Sequence, residues 1–251
     1  MAELIRTDHA GGIARLTLAR APVNALVPDF LMAFAGSIDR LAADDAVRAI
    51  VIDSAFAVHS AGLDLKAAQT WDRGGEHAIV AALNIGFTTL FACPKPTVAA
   101  IAGPAIAGGL FFVLGCDYRV AAPRASFGLA EVRVGADFPV GPMEIARATL
   151  SANDLRRLML TGQPVSADRA LASGIVDELV DEAMLGEAAL QAAGALADNP
   201  PLTYAAVKRQ IRGEVIAGIE AAIAAGGNAS PDGWFNSETK AAMARMIAGR
   251  G

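Results

Sequence analysis

A chain of 251 residues can bury about 72% of its extended surface on folding, so it needs no disulfide framework. Apolar residues make up 54% and charged residues 19%, with mean hydropathy +0.41, which excludes a disordered chain and raises the question of a membrane protein. A net charge of −5 leaves no basic footprint for nucleic acid, and Cys93 and Cys116 with His9, His59 and His77 give no metal-ligand spacing.

In chain order, residues 4–6 and 13–18 flank Ala10-Gly11-Gly12 and predict two strands joined by a tight turn. Pro28 opens a helix with Phe30, Phe34, Ile38 and Leu41 at helical spacing, and residues 49–52 follow as a short buried strand. A second helix carries Ile79, Leu83, Phe87 and Leu90. Cys93-Pro94-Lys95-Pro96 ends it, and residues 97–101 read as another strand. The 21 residues from Pro96 to Cys116 carry no charge, the length of a bilayer span. Gly103, Pro104, Gly108, Gly109 and Gly115 argue against a span, because lipid would leave their irregular backbone unsatisfied. Strand, turn and a helix near Gly109 to Gly115 are expected instead, leading to a strand at residues 118–121. Ser151 and Ser166 are set as helix N-caps, with Gly162 and Gly174 as stops. Residues 175–180 form the last expected strand. The Ala-rich remainder is helical, which divides the chain into an α/β core at 1–198 and a helical region at 199–251. The opening MAELIRTDHA lacks the pattern of a secretory signal, so a cytoplasmic location and no membrane partner are expected.

Chemistry concentrates in the middle of the chain. Ser60-Ala61-Gly62-Leu63-Asp64-Leu65-Lys66 and Ala105-Ile106-Ala107-Gly108-Gly109-Leu110 each follow a strand and lead into a helix, where backbone N–H groups lack partners. The N–H groups of Leu63 and Gly108 can together form an oxyanion hole; Gly108-Gly109 serves tight helix packing equally well. Downstream, Glu131 and Asp137 sit among apolar residues, which raises a carboxyl pKa and suits a general base or acid; Arg133 offers Glu131 a simple ion pair instead. Lys240, Arg245 and Arg250 form a basic end that can meet phosphates or serve as a solvated helix face. No G-x-S-x-G, P-loop, G-x-G-x-x-G, H-E-x-x-H or C-x-x-C pattern occurs.

Four motifs in this order and spacing resemble the crotonase, or enoyl-CoA hydratase/isomerase, superfamily: Pro22-Val23-Asn24-Ala25-Leu26, Ser60 to Lys66, Ala105 to Gly109 with Cys116-Asp117-Tyr118-Arg119, and Phe127-Gly128-Leu129-Ala130-Glu131. The resemblance implies an α/β fold with a crotonase-like spiral of ββα turns and a C-terminal helical region that assembles trimers or hexamers. It implies acyl-CoA thioesters as substrates, with coenzyme A part of the substrate and neither a separate cofactor nor a metal. By similarity the oxyanion donors are Leu63 and Gly108, and substrate contacts fall at Ala25, Ala61, Leu65, Lys66 and Gly109. Hydratases of the family use two glutamates, which here correspond to Phe111 and Glu131, so an apolar ring stands where one carboxylate would hold water. A single glutamate resembles the Δ3,Δ2-enoyl-CoA isomerases. Asp137 departs from that pattern and leaves open hydratase, dienoyl-CoA isomerase, hydrolase or decarboxylase chemistry shared with Glu131; a noncatalytic acyl-CoA-binding scaffold is the alternative outside enzymology.

Overall fold

The computed structural model describes residues 3–226 and 232–249. Strands β1 (Leu4–His9) and β2 (Ile13–Leu18) pair antiparallel, with Leu4 opposite Leu18 and His9 opposite Ile13. Their connection, the tight turn expected at Ala10-Gly11-Gly12, is a one-turn 3-10 segment over Ala10–Gly12. Helix α1 (Pro28–Ala43) begins at the expected proline and buries Phe30, Phe34, Ile38 and Leu41 along one face. It delivers the chain to β3 (Ala49–Ser54), parallel to β2. A short helix α2 (Leu65–Ala68) and the long α3 (Arg73–Ala92) precede β4 (Thr97–Ile101), which pairs parallel with β3. This repetition of strand and covering helix makes a sheet in which each added strand is buried on both faces, as the unbroken apolar runs of β3 and β4 require.

The uncharged stretch folds as strand, turn and helix. After β4 come β5 (Ala105–Ile106), a 3-10 turn at Ala107–Leu110 and α4 (Phe111–Leu114), so the expected single helix is split in two. Next stand β6 (Tyr118–Ala121), β7 (Ser126–Gly128), α5 (Glu131–Val134) and α6 (Val140–Thr149). Ser151 and Ser166 cap α7 (Ala152–Thr161) and α8 (Ala167–Ser173), each hydroxyl accepting a backbone N–H three residues on, and β8 (Val165–Ser166) lies between them. The expected strand at 175–180 shortens to β9 (Glu178–Leu179). The N–H groups of Ile175 and Val176 turn back to the carbonyl of Ala170 at the end of α8, leaving only two residues to pair with β6. The main sheet thus runs β1-β2-β3-β4-β6-β9, and a second, smaller sheet runs β5-β7-β8.

Helices α9 (Leu185–Ala197), α10 (Pro201–Ala224) and α11 (Thr239–Ala248) complete the described chain, and Asn199 lies in the turn between the first two. Among the described residues no helix is long and apolar enough to cross a membrane. Helix α10 is tied to the core through one carboxylate. Asp117 Oδ2 accepts from Thr97 N at 2.9 Å, Tyr204 Oη at 3.0 Å and Lys208 Nζ at 2.7 Å, and Oδ1 pairs with Arg212 at 2.9 Å. Lys208 is buried, so removing its partner leaves an uncompensated charge, which costs about 3–5 kcal/mol. Asp117→Ala is therefore expected to lower the urea midpoint by that equivalent at fixed protein concentration, while Asp117→Asn loses less because an amide oxygen still accepts from Thr97 N.

Candidate active site

Three segments cross where the second and third motifs meet. Leu26 and Leu63 form an isolated parallel bridge, in which Leu26 N donates to Gly62 O and Asp64 N donates to Leu26 O, both at about 3 Å. In a parallel bridge of this register the amide of Leu63 itself points away from Leu26, and among the described residues its N–H has no backbone acceptor. Ser60 bridges Ala105 in the same way, and the 3-10 turn at Ala107 leaves the N–H of Gly108 unpaired at its start. Ala107 holds φ +52, a left-handed conformation that costs a non-glycine residue about 1–3 kcal/mol. Gly62 is obligatory by geometry: its φ is +77, and a Cβ there would lie 2.6 Å from Ala107 Cβ and 3.2 Å from Gly108 N. Gly108 lines a cavity, and Gly109 packs so closely that a Cβ would meet Ser60 O at 2.6 Å.

Leu63 and Gly108 line one cavity together with Ala61, Leu65, Phe111 and Glu131. Counting the open solvent at its mouth, about 650 Å³ is not filled by protein atoms. Leu26, Leu83, Phe138 and Pro142 give it apolar walls. Phe111 is fully buried and packs on Phe87 with ring centroids 5.4 Å apart, so the ring cannot yield its place to a bound water.

Glu131 opens α5 and is only 9% exposed. Its Oε2 is buried without a hydrogen-bond partner, and Arg133 points to the exterior, so the ion-pair alternative is not realised. Burial pushes the Glu131 carboxyl up to about 8, its own backbone N–H being the one opposing influence. A carboxyl that accepts or releases a proton near neutrality thus faces the same cavity as two free amides.

Other expected residues stand elsewhere. Ala25, Lys66 and Gly109 do not line the cavity; Ala25 O accepts from Arg20 Nη1 at 2.9 Å, Lys66 is exposed, and Gly109 packs against Ser60. Asp137 is exposed and accepts from Trp234 Nε1 at 2.7 Å, whereas its neighbours Ala136 and Phe138 line the cavity. The structure therefore does not bring Asp137 together with Glu131. Lys240 Nζ donates to Trp71 O at 3.3 Å, Arg245 is exposed, and Arg250 lies outside the described residues. Trp234 and Met246, which line the cavity from the C-terminal segment, escaped the sequence reading. The one signal for them was an isolated Gly233-Trp234-Phe235 in an otherwise Ala-rich tail.

Comparison with known proteins shows the family and the fold. The enoyl-CoA hydratase/isomerase family model matches residues 8–228. A probable enoyl-CoA hydratase, EchA17, of Mycobacterium tuberculosis is 32% identical over 202 residues, covering 80% of this chain and 77% of that protein. A putative enoyl-CoA hydratase of Thermus thermophilus is 32% identical over 188 residues, 74% of each chain. Among solved structures, human mitochondrial Δ3-Δ2-enoyl-CoA isomerase superposes with a TM-score of 0.89 over 99% of this chain and 98% of that one, at 26% identity.

The raised carboxyl has a stability signature. Below about 4.5, the ordinary value for Glu, the group is protonated in both folded and unfolded chains and contributes nothing to the difference. Between there and about 8 only the folded state keeps the proton, so stability falls as pH rises and levels off above about 8. Glu131→Gln removes this loss, and its urea midpoint relative to wild type is expected to climb from pH 5 to pH 8 and then hold constant.

Proposed function

Because the chain belongs to the enoyl-CoA hydratase/isomerase family, we propose that it is a Δ3,Δ2-enoyl-CoA isomerase with Glu131 as its single acid/base group. The observation that carries this reading is that the buried Glu131, whose Oε2 has no hydrogen-bond partner, shares one cavity with Phe111. In the proposed reaction the thioester oxygen accepts from the N–H groups of Leu63 and Gly108. Negative charge develops there as the Glu131 carboxylate removes a proton from C2, and each donor is worth about 2.7–4 kcal/mol in such a hole. The electron pair of the broken C–H bond forms the C2–C3 double bond, the C3–C4 pair takes the proton back at C4, and Glu131 returns to its carboxylate. No atom is gained or lost, so one base suffices. The apolar walls limit exchange of that proton with water.

Hydration is the activity printed in the names of the bacterial relatives, and it requires a second group to hold and activate water. Phe111 offers no such group, and Asp137 is engaged by the Trp234 indole outside the cavity. A scaffold without chemistry would have no use for a buried carboxyl facing two free amides. Assembly follows the same reasoning: α10 exposes Val207 at 47% and Ile211 at 73%, four residues apart and so on one face, which supports the trimer or hexamer implied by the family. Sedimentation is expected to return a trimer or a multiple of it, and Ile211→Asp to dissociate it.

The activity test uses 3-enoyl-CoA and follows the absorbance of the conjugated thioester. Wild type is expected to isomerise faster than it hydrates 2-enoyl-CoA, and Glu131→Gln to lose isomerisation by about 10²–10⁴-fold while still binding acyl-CoA. As the free enzyme must start with an ionised base, kcat/KM should rise with pH and reach a plateau above about 8. Faster hydration than isomerisation, or near-normal turnover by Glu131→Gln, overturns the assignment.

A further inference from the structure

The tail residue that lines the cavity is fixed at several points. Trp234 Nε1 donates to Asp137 Oδ1 at 2.7 Å, and the backbone N–H groups of Trp234 and Phe235 donate to Glu76 Oε2 at 2.8 and 3.0 Å. Gly233 makes this approach possible: its φ is +93, and a Cβ there would stand 2.3 Å from the same Oε2. Phe235 lies beside Trp234 with centroids 5.3 Å apart and stacks on Trp71 at 6.4 Å and 15°. An indole held by its ring nitrogen, its own amide and its neighbour is a fixed wall, and the cavity it lines also contains Glu131.

We infer that Trp234 limits the length of acyl chain that the cavity accepts and that Asp137 is the positioning residue that holds it there. The inference rests on the acyl-CoA reading given above. A second acid/base group would face the cavity, whereas Asp137 is exposed and its oxygen is committed to the indole. With the ring fixed, a chain that reaches the wall must stop or turn. With the ring removed, each further methylene that enters gains about fourfold in binding.

The test compares kcat/KM over 3-enoyl-CoA substrates from hexenoyl to hexadecenoyl. Trp234→Ala is expected to shift the preference toward the longer chains by at least about tenfold relative to wild type. Asp137→Ala moves it in the same direction, and the double variant moves it no further than Trp234→Ala alone. Asp137→Asn keeps the wild-type profile, because an amide oxygen still accepts the indole N–H. An unchanged length profile in both Trp234→Ala and Asp137→Ala overturns the inference, as does loss of turnover at every length in Asp137→Asn. Calorimetric titration with saturated butyryl- to hexadecanoyl-CoA repeats the comparison without chemistry. If wild type binds these thioesters but turns over no enoyl-CoA, the isomerase reading fails alone, and the shift in length preference for binding still decides the role of Trp234.

Discussion

The site depends on a crossing of three chain segments held by Asn24. Buried, with φ +49, Asn24 donates through Nδ2 to Ser54 Oγ at 2.8 Å and His59 O at 2.9 Å, while its Oδ1 accepts from Arg20 N at 2.9 Å. Its carbonyl accepts from Ser60 Oγ at 2.7 Å, and Ser60 Oγ in turn accepts from Gly62 N. This network fixes the register of Leu26 against Leu63 and of Ser60 against Ala105, and that register decides which amides are spent on pairing and which remain free. A slip of one residue toward Gly62 would make the amide of Leu63, rather than that of Asp64, donate to Leu26 O. The free amide of Leu63 is thus a by-product of strand geometry, enforced by buried side chains that do not line the cavity.

The carboxyl works under a different constraint. Glu131 owes its raised pKa to dehydration, so its chemistry depends on the fit of apolar groups around it and hence on Phe111, Leu83 and Phe138 as much as on itself. Its loop is held from the tail. Thr239 Oγ1 and Asn236 Nδ2 both donate to Gly135 O, at 2.5 and 3.2 Å, and α11 packs against α2 and α5. The C-terminal region is therefore part of the cavity wall as well as the bearer of an exposed apolar face on α10.

How much could be read from the sequence follows from the range of each interaction. Pro28, Ser151 and Ser166 were legible as helix starts because a cap acts within three residues. Among residues that line the cavity, Leu63 and Gly108 were legible because each follows a strand and leads into a helix, Glu131 because a carboxylate stood among apolar residues, and Phe111 through the family resemblance alone. The 3-10 turn at Ala107 was not, since it follows from contact of Gly62 and Gly109 with segments distant in sequence. The place of Asp137 was invisible for the same reason: its partner Trp234 stands 97 residues away, and nearness in sequence to Glu131 pointed to the wrong neighbour.

The bond between Thr239 and Gly135 spans 104 residues, and it joins the start of α11 to the C-terminal end of the short helix that carries Glu131. Contacts of such separation form late, because loop closure must be complete before they return any free energy. During synthesis the β1 to β9 core can therefore condense while its cavity still lacks a wall and its carboxyl remains in contact with water. The wall closes only once α11 has emerged and docked, so the dehydration that raises the Glu131 carboxyl is set by the order in which these segments are made.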